Sequence, residues 1–293
     1  MKAFGRILTA MVTPFHDDLS VNYQAAASLA KHLVANGNDG LVVAGSTGEA
    51  ATLSKEEKLK LFATVLDAVG DKATVIVGTG SNDTRASIAL TQEAEKLGVH
   101  GSLVVGPYYN KPPQEGYYQH FKAIADNTGL PLIVYNVPGR TASNILPATI
   151  ARLAQIKNIV AVKESSGNLD QVSEIVRSVP KNFMVYSGDD SLTLPILSVG
   201  GVGVVSVAGH IVAKRMQDMI AAFFTGDVAA ARDIHLELLP FFKVIFITTN
   251  PIPVKTAVNL AGLGAGPLRQ PLIAATAAET EQIRKVMQEI GAL

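Results

Sequence analysis

Short apolar runs recur along the first two thirds of the chain, at Ile7 to Val12, Gly40 to Ala44, Thr74 to Val77, Ser102 to Val105, Leu132 to Tyr135, Ile159 to Val162, Phe183 to Tyr186 and Gly203 to Val207. Each run is nearly unbroken rather than alternating with polar residues, the pattern of parallel strands covered on both faces. The intervening segments carry helical periodicity and start signals. Ser54-Lys55-Glu56-Glu57 reads as a capping box ahead of Leu59, Leu61, Phe62 and Val65, and Asn168 precedes Leu169, Val172 and Ile175. Eight strand-and-helix repeats predict a (β/α)8 TIM barrel in the α/β class, with an open doubly wound sheet as the alternative that pattern alone leaves open.

After about Gly226 the strand signals stop. Val228 to Leu239 and Ala275 to Ile290 read as helices, Pro240 is expected to break the first, and Asn250-Pro251-Ile252-Pro253 is expected to be a turn or linker. The expected organisation is therefore a barrel over residues 1–225 that carries the active site, followed by a small C-terminal helical domain over 226–293.

Composition narrows the function classes. Hydrophobic residues at 48% against charged residues at 17% describe a chain that buries a large core. The 25 basic and 25 acidic residues cancel, so no global field gathers nucleic acid or anionic lipid, and neither is expected as a partner. The chain has no cysteine, which removes disulfides, thiolate metal sites and cysteine nucleophiles. Nor do its six histidines include a close ligand pair, so no metal is expected. MKAFGRILTAMVTPF has no signal-peptide pattern and nowhere do 18 uncharged apolar residues stand together, so a cytoplasmic protein is expected.

In a barrel, chemistry collects at the C-terminal ends of the strands. Those ends here read Gly45-Ser46-Thr47-Gly48-Glu49, Pro107-Tyr108-Tyr109-Asn110, Tyr135-Asn136-Val137-Pro138-Gly139-Arg140, Lys163-Glu164-Ser165-Ser166-Gly167 and Ser187-Gly188-Asp189-Asp190. Strand alternation puts Lys163 on the side of Ile159 and Ala161, facing either the barrel interior or the helices. An inward amine is partly desolvated, and desolvation favours the neutral form that attacks a carbonyl; the alternative is a lysine that reaches solvent or pairs with Glu164. Gly45-Ser46-Thr47-Gly48 offers successive N–H groups and two hydroxyls suited to a small carboxylate, or a tight turn whose hydroxyls cap the next helix. Tyr135 reads as a proton shuttle or a buried aromatic, and Arg140 as a carboxylate clamp or a surface ion pair. Asp189 and Asp190 are best explained as residues at a helix N-terminus.

Taken together, GSTGEAATL, GPYYNKPPQEG, YNVPGRT, VKESSGNLDQVSEI, SGDDSLTLPILSVGG and NPIPVK resemble, in order and over essentially the whole chain, the dihydrodipicolinate synthase family. That family lies among the pyruvate-dependent Schiff-base aldolases, which include N-acetylneuraminate lyase. The resemblance implies that Lys163 forms an imine with pyruvate, that Ser46 and Thr47 hold the pyruvate carboxylate, and that Tyr135 is the central acid/base. It further implies a proton path through Ser46 to Tyr109 donated by a neighbouring subunit, Arg140 on the carboxylate of L-aspartate 4-semialdehyde, and backbone from Gly188 and Val205 around the pyruvate. The implied product is 4-hydroxy-tetrahydrodipicolinate, on the route to diaminopimelate and lysine. No cofactor is implied beyond the covalent imine with substrate, and the implied assembly is a homotetramer, a dimer of dimers. Arg140 within YNVPGRT favours this reaction over the alternative, an N-acetylneuraminate lyase-like or 2-keto-3-deoxy sugar acid aldolase. Ser46 stands where threonine is usual, Ala142 where glycine is common, and Lys58 and Ala86 where lysine-inhibited members tend to carry histidine and glutamate.

Overall fold

The computed structural model describes residues 4–293. Eight parallel strands, in chain order around the ring, close into a barrel. They are β1 (Ile7–Ala10), β2 (Gly40–Val43), β3 (Thr74–Gly78), β4 (Gly101–Val105), β5 (Leu132–Asn136), β6 (Ile159–Glu164), β7 (Met184–Ser187) and β8 (Gly203–Ser206). The helices are α1 (Tyr23–Ala35), α2 (Lys55–Val69), α3 (Thr84–Lys96), α4 (Gln114–Ala125), α5 (Pro138–Thr141), α6 (Pro147–Leu153), α7 (Leu169–Ser178), α8 (Thr193–Ser198), α9 (Gly209–Phe224), α10 (Val228–Val244), α11 (Ile252–Leu260) and α12 (Ala277–Glu289). The (β/α)8 expectation holds and the open sheet is excluded. Every residue of β1, β2, β5, β6 and β8 is buried, which is why their sequences run apolar without alternation.

The start signals act as written. Ser54 Oγ accepts from Glu57 N at 3.1 Å while Glu57 Oε2 accepts from Ser54 N at 2.9 Å, a reciprocal cap on α2. Asn168 Oδ1 accepts from Gln171 N at 3.1 Å at the start of α7. Asp189 accepts from Ser191 N at 3.1 Å, so it caps a helical turn as expected.

Two expectations need correction. Pro240 lies inside α10 and does not break it. Proline frees the carbonyl four residues back, here that of Leu236, and both Leu236 and Pro240 are exposed, so water can satisfy the group. Asn250 to Pro253 is likewise not simply a linker. Asn250 and Pro251 form a turn with a cis peptide bond, but α11 begins at Ile252 and takes Pro253 into its first turn, where a missing N–H costs nothing.

The described residues pack as two compact units, residues 4–75 with 206–293, and residues 76–205. In the first, fully buried His210 braces the ends of two strands: its Nε2 accepts from Val12 N at 3.1 Å and its Nδ1 donates to Val207 O at 2.8 Å, which requires the neutral ring. Burial lowers its pKa from 6.5 to about 4, against a smaller opposing contribution from the Val207 carbonyl. Below pH 6.5 the unfolded chain takes up a proton that the folded chain refuses, so stability falls as pH drops from 6.5 towards 4. The full loss amounts to roughly 3 kcal/mol. Urea titrations at pH 7 and pH 4.5 are expected to show this loss in the parent chain and a smaller one in His210→Gln.

Ala142 explains why glycine suits its position. It ends α5 with φ +55° and ψ 27°, in the left-handed region that a Cβ disfavours, and its side chain is exposed. Ala142→Gly is therefore expected to stabilise the fold by about 1 kcal/mol, since it relieves the strain without emptying a packed site. A raised denaturant midpoint at unchanged slope is the check.

Candidate active site

Lys163 belongs to β6 itself, paired in register with Tyr135 of β5 on one side and Tyr186 of β7 on the other. Its neighbour Glu164 settles which way it points. Glu164 Oε2 accepts from Gln171 Nε2 of α7 at 3.4 Å, so Glu164 faces the helix layer and Lys163 faces the barrel interior. The side chain is 5% exposed, and its Nζ lies 4.1 Å from the centre of the Tyr135 ring. Among the described residues no carboxylate or carbonyl accepts from it. The expectation of an inward amine holds, and the alternative of a Lys163–Glu164 pair fails because adjacent strand residues face opposite ways.

Gly188, just past β7, makes room for this amine. A Cβ at that position would stand 2.9 Å from Lys163 Cε and 3.1 Å from Lys163 Cγ, and would overlap Ser165 Oγ. Its N–H is held by Glu164 O at 2.8 Å, which keeps the loop against β6. Ser165 Oγ is buried in the same place without a hydrogen-bond partner among the described residues. Val205 is fully buried in β8, next to Val204, which pairs with Ser187 of β7.

The Gly45–Glu49 loop follows β2. The amides of Gly48 and Glu49 turn back onto Gly45 O and Ser46 O, and the amide of Ala50 also donates to Gly45 O. Among the described residues those of Ser46 and Thr47 donate to nothing in the protein. Thr47 is 3% exposed and accepts from Asn250 Nδ2 at 2.9 Å, while Ser46 is exposed. Two free N–H groups beside two hydroxyls form the kind of nest that takes a carboxylate. Arg140 lies exposed on α5, and Tyr109 is 89% exposed with φ +70°. Among the described residues no group of His, Asp or Glu side chains is arranged to hold a metal ion.

A sequence profile of the Dihydrodipicolinate synthetase family matches residues 3–290. The chain belongs to that family. Among curated relatives, the 4-hydroxy-tetrahydrodipicolinate synthase of Heliobacterium modesticaldum is 60% identical over 288 residues, covering 98% of this chain and 96% of its own. That of Moorella thermoacetica is 57% identical over 290 residues, covering 99% of each. Among solved structures, the Cyanidioschyzon merolae dihydrodipicolinate synthase with lysine bound superposes with a TM-score of 0.98 at 48% identity, covering 99% of each chain. The Thermotoga maritima enzyme does so at 0.96 and 43%, again over 99% of each.

Two groups in this family member escaped the sequence reading. Behind β5 and β6, Glu164 is buried and burial pushes its pKa up, opposed by Asn136 Nδ2 at 3.0 Å, Ser166 N at 2.7 Å and Gln171. Asn144 completes this layer through Asn136 Nδ2 at 2.8 Å and Gln171 Oε1 at 2.8 Å, so the residues flanking Tyr135 and Lys163 are locked from the outside. Strand alternation carried the signal, since Asn136 and Glu164 are polar residues within fully buried strands.

The second group is Lys255, on α11 within NPIPVK. It is 1% exposed, and its Nζ donates to Glu49 Oε1 at 2.7 Å and to Thr13 O at 2.8 Å, with the Phe15 ring centre 4.1 Å away. Burial lowers its pKa to about 8 while Glu49 pulls it back up. Arg269 N donates to Glu49 Oε2 at 2.9 Å, and the Arg269 guanidinium bonds to Glu57 and Thr52 O. Among the described residues Lys163 and Lys255 are both buried, and their partners separate their roles. The amine of Lys255 is committed to a carboxylate and a carbonyl; that of Lys163 is not.

Proposed function

We propose that this chain condenses pyruvate with L-aspartate 4-semialdehyde through an imine on Lys163, releasing 4-hydroxy-tetrahydrodipicolinate for diaminopimelate and lysine biosynthesis. The observation that carries the site assignment is the buried Lys163 amine, held against Tyr135 with no competing acceptor among the described residues. The reaction class is that of its relatives, lyases named 4-hydroxy-tetrahydrodipicolinate synthase.

The neutral amine of Lys163 attacks C2 of pyruvate, and the resulting carbinolamine loses water to give the iminium. That cation is the electron sink: a proton leaves C3, the enamine forms, and its C3 attacks the aldehyde carbon, whose oxygen takes a proton. The substrate's own amine then adds to C2 and displaces Lys163, closing the ring and restoring the free enzyme. No further electron sink is needed, so the reading requires no cofactor. The free amides of Ser46 and Thr47, with the Thr47 hydroxyl, hold the pyruvate carboxylate. Tyr135 passes the protons, through Ser46, towards Tyr109 of a neighbouring subunit. An aromatic side chain 89% exposed on left-handed backbone suits insertion into a second copy, and we take the assembly to be a homotetramer. Gly188 and Val205 wall the pyruvate, and Arg140 takes the carboxylate of the second substrate. The helices over 226–293 are taken as a small C-terminal helical domain that follows the barrel. Among the described residues no helix is long and apolar enough to cross a membrane, and a chain without cysteine suits a reducing cytoplasm.

A coupled assay with the reductase that consumes the product tests the second substrate. L-aspartate 4-semialdehyde is expected to be turned over and sugar aldehydes not, and Arg140→Ala is expected to raise the KM for the semialdehyde by about tenfold or more with little effect on that for pyruvate. Preference for a sugar aldehyde would contradict the reading.

A further inference from the structure

We propose that Asn250 is a positioning residue for the substrate carboxylate, its side-chain amide holding the Thr47 hydroxyl so that the hydroxyl proton is offered to the ligand. The proposal rests on the reading of Thr47 as a contact of the pyruvate carboxylate.

Asn250 Nδ2 donates to Thr47 Oγ1 at 2.9 Å, with Asn250 7% and Thr47 3% exposed. A hydroxyl has one proton to give and lone pairs to receive. Since the amide N–H occupies a lone pair, the proton of Thr47 remains for another acceptor, and among the described residues it finds none. A buried O–H with its proton unspent, beside the free amide of the same residue, complements a carboxylate oxygen and not a cation. Asparagine is suited to this where aspartate is not. A carboxylate at position 250 would draw the Thr47 proton to itself and set a negative charge beside an anionic substrate.

The same segment holds the loop from a second side. Five residues after Asn250, Lys255 bonds to Glu49 and to Thr13 O, and Thr13 Oγ1 in turn donates to Gly48 O at 2.6 Å. Glu49 sits in the left-handed region at φ +55°, a conformation that needs such support. The segment 250–255 thus grips residues 47 to 49, and of its side chains Asn250 is the one bonded to the side chain of Thr47.

The test is steady-state kinetics with pyruvate varied at saturating aldehyde, on the parent enzyme, Thr47→Val, Asn250→Ala, Asn250→Asp and the double variant Thr47→Val/Asn250→Ala. Asn250→Ala is expected to raise the KM for pyruvate about tenfold with kcat changed less than about threefold, the loss of one charge-assisted hydrogen bond. Asn250→Asp is expected to raise it further. In the Thr47→Val background, Asn250→Ala is expected to add less than about twofold, because the hydroxyl it acts through is gone. If the two single effects multiply, Asn250 does not act through Thr47 and the proposal falls while the reading of Thr47 stands. If Thr47→Val leaves the KM for pyruvate unchanged, the reading of Thr47 falls and takes the proposal with it. Should Asn250→Ala fail to fold, the isosteric Asn250→Asp decides alone, since a pyruvate KM at the parent level in that variant contradicts the proposal.

Discussion

Lys163→Ala is expected to lower kcat by about 10⁴-fold or more without unfolding the protein, because it removes the group that converts pyruvate into an enamine. The size follows from the chemistry. Without the imine, the electron pair left when C3 of pyruvate loses its proton must be delocalised into a neutral ketone, a much poorer electron sink than an iminium. The structure sharpens the expectation, since the buried amine of Lys255 is engaged by Glu49 and Thr13 and is not available as a substitute. Lys163→Arg should fare no better, because a guanidinium remains protonated and cannot attack a carbonyl. Residual turnover within about tenfold of the parent would show that the covalent route does not run through this residue.

The second large effect is on stability. Glu49 and Lys255 form an ion pair in which both side chains are 1% exposed. Lys255→Met leaves a buried carboxylate without its ammonium partner, with the Arg269 amide as its remaining hydrogen-bond donor among the described residues. A broken buried pair costs about 3–5 kcal/mol. The double variant Glu49→Gln/Lys255→Met removes both charges together and is expected to recover a substantial part of that loss, since no unpaired charge remains. Urea titrations at pH 7 and one protein concentration measure both. A single variant within about 1 kcal/mol of the parent would mean that water reaches the pair and replaces the missing partner.

Much of this architecture was legible because local and global signals agree. A strand buried on both faces must be apolar throughout, and eight such runs separated by helical periodicity have few closures other than a barrel. Ser54 with Glu57, Asn168 and Asp189 signal helix starts through side-chain oxygens that cap backbone amides, a purely local matter, and all act as read. The direction of Lys163 was not legible. Alternation confined it to the side of Ile159 and Ala161, but only the contact between Glu164 and Gln171 tells which side that is.

The misreadings share a cause. Pro240 looked like a helix end because the rule for proline concerns a lost backbone bond, whereas the outcome depends on whether the freed carbonyl meets water, which is decided by tertiary packing. The roles of Asn250 and Lys255 were hidden for the same reason. Their partners, Thr47 and Glu49, lie more than 200 residues away in the chain, and no periodicity or spacing rule links such positions. The motifs GSTGE and NPIPVK were both visible; that one holds the other was not.

The most direct test is borohydride reduction of the enzyme in the presence of pyruvate, followed by mass spectrometry of its peptides. The account predicts one reduced pyruvyl group, on Lys163, with none on Lys255 and none anywhere when Lys163 is replaced by alanine. A stable adduct on another lysine, or undiminished trapping in Lys163→Ala, would contradict it.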